Sequence, residues 1–415
     1  MKESFIVSLL GARMNYAVPR IFNDKGYLKH FYTDFAANKG LLKLTQFLPN
    51  KYLNEPSKKI KSRVAKGIPL NKVSHFPSLG FRYGIKNMKA RDEVDYLKNF
   101  LWGAKKFNNW VIKDKNFNGN SLYAFNTAAL ELFSSNRCPS NKVLEQTIAP
   151  YPTEKRILHE EREKFGKWVL KESPKSKSLE SLESEYINRE IEELNLATSI
   201  LCGSQFVKNE IVSLGISETK CKVVPYGISY EKRELTIKKS TRKLEVLFVG
   251  RIGLRKGIQY LLKSAKELGT VANFTAVGPF DVNEQAIQEI SKYIHLTGPV
   301  SRAEVQEYYL NADVFILPSL CEGSATVIYE AMSFGLPIIT TNNSGSIIHD
   351  TEEGFIVSEQ DHQGITESIL KLLDLDLRHS MSEKSLITSI SGSYEAYSER
   401  LCKSLEINNN LMNNY

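Results

Sequence analysis

Apolar and polar positions in the second half of the chain repeat a strand, loop and helix rhythm. Lys243 to Val249 is a strand-like run that ends in Gly250-Arg251. Lys256-Gly257 follows, with an apolar stripe at helical spacing on Ile258, Leu261, Leu262, Ala265 and Leu268. Phe274 to Val277 stops at Gly278-Pro279, and Ile294 to Thr297 stops at Gly298-Pro299. Ser301 and Glu304 have the spacing of a capping box that opens a helix. Val314 to Leu317 reads as a buried strand ended by Pro318, and Ala325 to Phe334 as a helix stopped by Gly335 and Pro337. Leu336 to Thr340, the turn Asn342 to Gly345, a strand around Gly354 to Val357 and a helix from Ile365 to Leu373 complete the series. This alternation predicts an α/β domain with a parallel, doubly wound sheet.

The first half carries a weaker pattern. Phe5 to Leu10 reads as a first strand, too short to span a membrane. The loop Gly11 to Arg20 follows it, with one glycine before Arg13. Leu122 to Asn126, Val143 to Ile148 and Ser199 to Cys202 are short strand candidates, and Ser204 to Leu214 is a helix candidate. Ser229 to Arg242 is charged and poor in apolar residues, as a crossing between domains would be, and Tyr394, Tyr397, Leu401 and Leu405 form a late apolar stripe at helical spacing.

The densest chemistry is at the strand-to-helix junction after Leu317. Glu322 lies in the loop and Glu330 inside the helix, eight residues on. The helix start near Ser324 to Thr326 turns unpaired N–H groups and a positive dipole end toward the loop, which suits a diphosphate. Thr326 and Glu330 share a helical face, so a carboxylate one turn in can accept both hydroxyls of a ribose. Glu322 can reach the hydroxyls of a sugar beyond the phosphates. The same spacing also fits a surface helix with two solvated glutamates. In the loop after Val249, Gly250 allows close backbone approach, and Arg251 and Lys256 supply two cations. Basic loop residues are otherwise commonly just solvated.

Glu322 and Glu330, set in a Pro-Ser-Leu-Cys-Glu-Gly and Glu-Ala-Met-Ser-Phe-Gly-Leu-Pro frame, closely resemble the signature of the retaining family 4 (group 1) glycosyltransferases, which have the GT-B fold. The resemblance implies two Rossmann-like domains facing each other across a cleft, and transfer of a sugar from a nucleoside-diphosphate sugar to an acceptor hydroxyl. It assigns catalysis to Glu322, Arg251 and Lys256. Donor binding falls to Glu330, Gly250, Gly323, Ser324, Ala325 and Thr326, to backbone around Gly298 and Val300 beside the base, and to Gly11 and Arg13 facing the phosphates. Lys222 to Ile228 resembles the family's hinge segment. The implied division is an acceptor-binding domain over 1–228, a nucleotide-sugar domain over 229–390 and a final helix in 391–415 that returns to the first domain. No metal or other cofactor is expected. Asp374-Leu375-Asp376 imitates a metal-binding Asp-x-Asp motif but follows an amphipathic helix, and is taken as coincidence. The chain departs from many relatives in having Gln146-Thr147 where a first-domain histidine is common, which leaves the acceptor side open with His159 as the nearest substitute. A sugar-nucleotide epimerase or phosphorylase of the same fold, and a silent nucleotide-sugar-binding module, are the alternatives.

At 415 residues the chain has room for two domains. Its five cysteines show no paired spacing, which points to a reducing compartment, and the absence of a secretory signal pattern or an 18-residue apolar run predicts a cytoplasmic protein. Residues 39–115 hold 18 Lys and Arg against 5 Asp and Glu, so the rest of the chain is net −5 within a total of +8. The segment is also rich in Leu, Phe, Tyr and Trp. It reads as a helical insertion, either with a plain solvated basic face or in contact with an anionic membrane. Lipid-linked or other glycan acceptors, common in the resembled family, favour that contact, whereas nucleic acid is not an expected partner.

Overall fold

The structure is a computed structural model that describes residues 4–49, 53–170, 176–229, 233 and 243–407. Most of the expected crossing Ser229 to Arg242 therefore lies outside the described residues. The chain builds two parallel sheets. The first contains β1 (Phe5–Leu9), β2 (Leu28–Thr33), β3 (Val73–His75), β4 (Ser121–Phe125), β5 (Asn141–Gln146), β6 (Ser199–Cys202) and β7 (Cys221–Val223) in the order β3-β2-β1-β4-β5-β6-β7. The second contains β8 (Leu244–Val249), β9 (Ala272–Val277), β10 (His295–Gly298), β11 (Val314–Leu317), β12 (Ile338–Thr341) and β13 (Gly354–Val357) in the order β10-β9-β8-β11-β12-β13. Every residue of β1, β4 and β11 is buried, as strands covered on both faces require.

Strand order reverses direction between β1 and β4 in one sheet and between β8 and β11 in the other. At such a switch point the loops leaving the carboxyl ends diverge to opposite faces and open a crevice, where α/β sheets bind ligands. The loops after β8 and β11 carry the motifs named above. Gly257, at φ +75°, brings them together: a Cβ there would meet the Pro318 carbonyl at 2.0 Å. The two crevices also face each other, since a Cβ on Gly323 would strike the Thr147 carbonyl after β5 at 2.0 Å.

One expectation needs correction. Residues 39–115 are not simply a helical insertion, because β3 is the edge strand of the first sheet and the helix Glu93–Lys113 leads back into β4. A three-residue edge strand is too short to show a period. In β2, Lys29 is exposed among buried neighbours, which breaks the apolar run that would have announced a strand. The helix Tyr151–Phe165 also behaves differently from the rest of the first half, because it leans on the second sheet's helices. Glu161 on it is fully buried, accepting hydrogen bonds from Tyr260 Oη at 2.8 Å and Gln259 Nε2 at 2.7 Å. The last helix, Tyr394–Ser404, returns to the first domain: Arg20 Nε donates to Tyr394 Oη at 2.9 Å, and Ile228 bridges Ser393.

Candidate active site

The loop after β8 makes a single 3-10 turn, Leu254–Lys256, closed by left-handed Gly257. That turn aims two successive cations at one carboxylate. Glu322 Oε1 receives Arg255 Nη1 at 2.7 Å and Lys256 Nζ at 2.7 Å, with the Glu322 side chain only 13% exposed. Arg255 also donates to the Cys321 carbonyl at 2.8 Å, and its Nε lies 3.7 Å from Glu154 Oε1 on the Tyr151–Phe165 helix. Burial lowers the Lys256 pKa, while Glu322 opposes that shift. Burial raises the Glu154 pKa, Arg255 draws it back and Glu322 pushes it further up. Two cations and two carboxylates thus neutralise one another at the mouth of the crevice.

The helix after β11 spans Thr326–Ser333. Its start is fixed by side chains: Ser324 Oγ accepts from the Tyr226 N–H at 3.3 Å and lies 2.5 Å from Tyr329 Oη. The Ala325 N–H donates to the Ser344 carbonyl at 3.0 Å, so it is not free for a phosphate, contrary to the expectation from sequence. The N–H groups of Thr326 and Val327 meet no backbone acceptor among the described residues. Glu330 accepts from Tyr309 Oη at 3.3 Å. Burial raises the Glu330 pKa, with Arg302 and the Tyr309 hydroxyl opposing.

The remaining candidates are more scattered. Arg251 is about half exposed, with Nη1 3.9 Å from Asp281, and does not join the Glu322 cluster. Gly250 has φ +153° and Gly298 φ +70°, both conformations that suit glycine, and Val300 is half-buried. The Gly11 N–H donates to Asp34 Oδ1 at 3.1 Å. Arg13 opens a turn in which Met14, Asn15 and Tyr16 all have positive φ, an uncommon run for residues other than glycine. Its charge opposes the rise that burial imposes on the Glu145 pKa. His159 is exposed on its helix, and Gln146 is buried, its Nε2 donating to Glu190 at 2.8 Å and to the Ile148 carbonyl at 3.1 Å. Sequence reading missed Arg255 and Glu154. Three cations within six residues gave no sign of which would point inward, since the 3-10 turn that decides it has no periodic signature.

A cavity of about 800 Å³ opens in the first domain above the carboxyl ends of β1, β4 and β5. Thr147 and Ile148 line its inner end, against the loop that carries Glu322.

Two Rossmann-like domains with facing switch points, and a carboxylate and cation cluster between them, define the GT-B architecture. Comparison with known proteins agrees with this class. Residues 243–375 match the family described as "Glycosyl transferases group 1", so this stretch is a group 1 glycosyltransferase domain. The capsular polysaccharide biosynthesis glycosyltransferase CapM of Staphylococcus aureus is 32% identical over 210 residues, 45% of this chain and 55% of its own. An Escherichia coli UDP-Gal:alpha-D-GlcNAc-diphosphoundecaprenol alpha-1,3-galactosyltransferase is 27% identical over 205 residues, 44% of this chain and 52% of its own. The chain thus spans about half the length of the curated relatives it matches. The crystal structure of Anabaena HepE with UDP superposes with a TM-score of 0.57 at 14% identity over 98% of this chain and 100% of that one, a likeness of fold. No helix among the described residues is long and apolar enough to cross a membrane.

Proposed function

We propose that this protein transfers a glycosyl group, with retention of anomeric configuration, from a nucleoside-diphosphate sugar to a hydroxyl of a glycan or lipid-linked acceptor in glycan or polysaccharide biosynthesis. The observation that carries the reading is Glu322 held by Arg255 and Lys256 at 2.7 Å each, beside a helix start and with Glu330 further along the same helix. As the bond to the leaving diphosphate lengthens, negative charge gathers on phosphate oxygens and positive charge on the sugar ring. Preorganised groups aimed at that charge lower the barrier. Lys256, Arg251 and the N–H groups of Thr326 and Val327 serve the diphosphate, and Glu322, fixed by Arg255, orients the sugar. Glu330 accepts the ribose hydroxyls, backbone at Gly298 and Val300 borders the base, and the Gly11 to Arg13 loop faces the phosphates from the first domain. A leaving phosphate oxygen takes the acceptor proton on the same face. These groups supply the positive charge that the step requires without a metal.

Names of relatives support the acceptor class: the E. coli protein above is named for a diphosphoundecaprenol-linked substrate. The Gly40–Phe47 segment supports peripheral contact with an anionic membrane, for it buries no residue and leaves Leu41 87% and Phe47 76% exposed. In this reading the protein works at the cytoplasmic face of a membrane. Thermal unfolding against UDP, GDP, ADP and dTDP sugars tests the reading. At about 100 times the dissociation constant a ligand adds roughly 2.7 kcal/mol. A base-selective rise in Tm that Glu330→Ala abolishes is expected, and no rise with any nucleotide would remove the proposal's foundation.

A further inference from the structure

The helix Lys177–Leu196 of the first domain turns a polar face inward. Glu183, Glu190 and Glu193, spaced seven and three positions apart, share one helical face, and all three are buried. Glu183 pairs with Lys155 at 2.6 Å and Arg189 with Glu131 at 2.7 Å, which leaves Glu190 and Glu193 without an ion pair among the described residues. Burial raises the pKa of both. A buried carboxylate without a cation is costly, and an apolar side chain of similar volume would pack there at less cost.

What these two carboxylates bind are loops at the cleft. Glu193 accepts the N–H groups of Thr127, of Ala129 at 2.8 Å and of Leu130 at 2.9 Å, after β4. Thr127 has φ +68°, a strained setting for a β-branched residue that persists only where its surroundings impose it. Glu190 divides its two oxygens. Oε1 accepts from Gln146 Nε2 at 2.8 Å, at the end of β5, and Oε2 accepts the Tyr151 N–H at 2.7 Å, at the start of the helix Tyr151–Phe165. Pro152 has no N–H, and those of Thr153 and Glu154 return to the Pro150 carbonyl, so the Tyr151 N–H is the donor of that helix start left for Glu190. One turn on, Glu154 Oε1 lies 3.7 Å from Arg255 Nε, and Arg255 holds Glu322.

We propose that Glu190 is a positioning residue for the transfer reaction: it fixes the end of β5 and the start of the Tyr151–Phe165 helix, so that Glu154 meets Arg255 and Arg255 aims Glu322 at the donor sugar. At 1% exposure Glu190 is itself out of reach of any substrate. A carboxylate suits the place because it accepts on both oxygens at once, whereas an amide offers one acceptor and turns donors toward the other N–H. The inference rests on the glycosyltransferase reading and adds to its machinery a residue remote from the cleft.

The test takes the full chain and the sugar nucleotide that raises Tm most, with water as the acceptor, and follows release of the nucleoside diphosphate. Glu190→Gln should lower kcat about tenfold or more, since misplacing a preorganised group slows the chemical step more than binding. Calorimetric affinity for the nucleoside diphosphate should stay within about twofold of the wild type, because the groups that hold it are untouched. Glu185→Gln, on the same helix at an exposed pair with Lys105, should leave both values unchanged. Glu154→Gln should lower kcat as Glu190→Gln does, and the double variant should lose little more, because both changes act on one line of contacts. A purely structural role would lower Tm and leave kcat, measured well below Tm, at the wild-type value. Wild-type kcat in Glu190→Gln or in Glu154→Gln, or losses that multiply in the double variant, overturns the inference. Should Glu190→Gln not fold, Glu154→Gln on its partly exposed side chain decides alone. Failure of the wild type to bind any nucleoside diphosphate, or to cleave any sugar nucleotide, would overturn the parent reading instead, so the two failures are distinct.

Discussion

Glu322 is held in place by Lys256 and by a second cation, Arg255, that the sequence motif does not single out. Arg255 binds its carboxylate and the carbonyl of Cys321 with one nitrogen. Arg255→Ala is therefore expected to lower kcat by about 10²-fold, the order seen when a preorganised polar group is removed, with nucleotide affinity changed far less. Arg251→Ala, at a half-exposed side chain paired only at 3.9 Å, should mainly weaken nucleotide binding. Steady-state kinetics with a nucleotide titration separates the two. Glu330 gives a pH dependence. Burial raises its folded pKa above 4.5, so in the nucleotide-free protein its contribution to stability is full below pH 4.5 and is lost as pH rises through the raised value. Bound ribose hydroxyls donate to the anion and work the other way. The Tm rise given by a nucleotide should grow across that same window, and Glu330→Gln should flatten the growth.

At the scale of elements, the second sheet was legible because its strands carry short apolar runs and four of the six, β8 to β11, stop at a glycine or proline. Val314–Leu317 followed by Pro318 is an example. β3 was not legible, being three residues at an edge, and neither was the allegiance of the Tyr151–Phe165 helix. That helix is strongly polar along its length, and only the fold reveals that Glu161 points into a buried interface with Tyr260 and Gln259. Glu161→Ala leaves Tyr260 Oη without its acceptor, while Gln259 Nε2 keeps the Leu254 carbonyl at 3.0 Å, so the cost is about 1–3 kcal/mol for one buried unpaired group. Urea unfolding should show a lower midpoint of that order. A midpoint equal to the wild type would mean that the interface opens freely in solution.

Across the whole molecule, two helices cross between the sheets, and each crossing touches the site. The Tyr151–Phe165 helix supplies Glu154 to Arg255, while the Tyr394–Ser404 helix packs Tyr397 against Tyr226, with ring centroids 6.0 Å apart, and Tyr226 in turn holds Ser324. Such ties were invisible in sequence because they join residues about a hundred or more positions apart. The basic, aromatic-rich segment 39–115 was legible as a surface of unusual charge, though its role in the sheet was not. Co-sedimentation with anionic liposomes at low salt is expected, weakened by added salt as screening requires and by the double change Leu41→Ser and Phe47→Ser. A chain that stays in the supernatant at low salt contradicts membrane contact. The most direct test of the central claim is a crystal structure with the nucleoside diphosphate that raises Tm most. It should show the diphosphate at the start of the Thr326–Ser333 helix beside Lys256, with both ribose hydroxyls on Glu330. A nucleotide bound elsewhere, with Glu322 still closed on Arg255 and Lys256, would contradict the account.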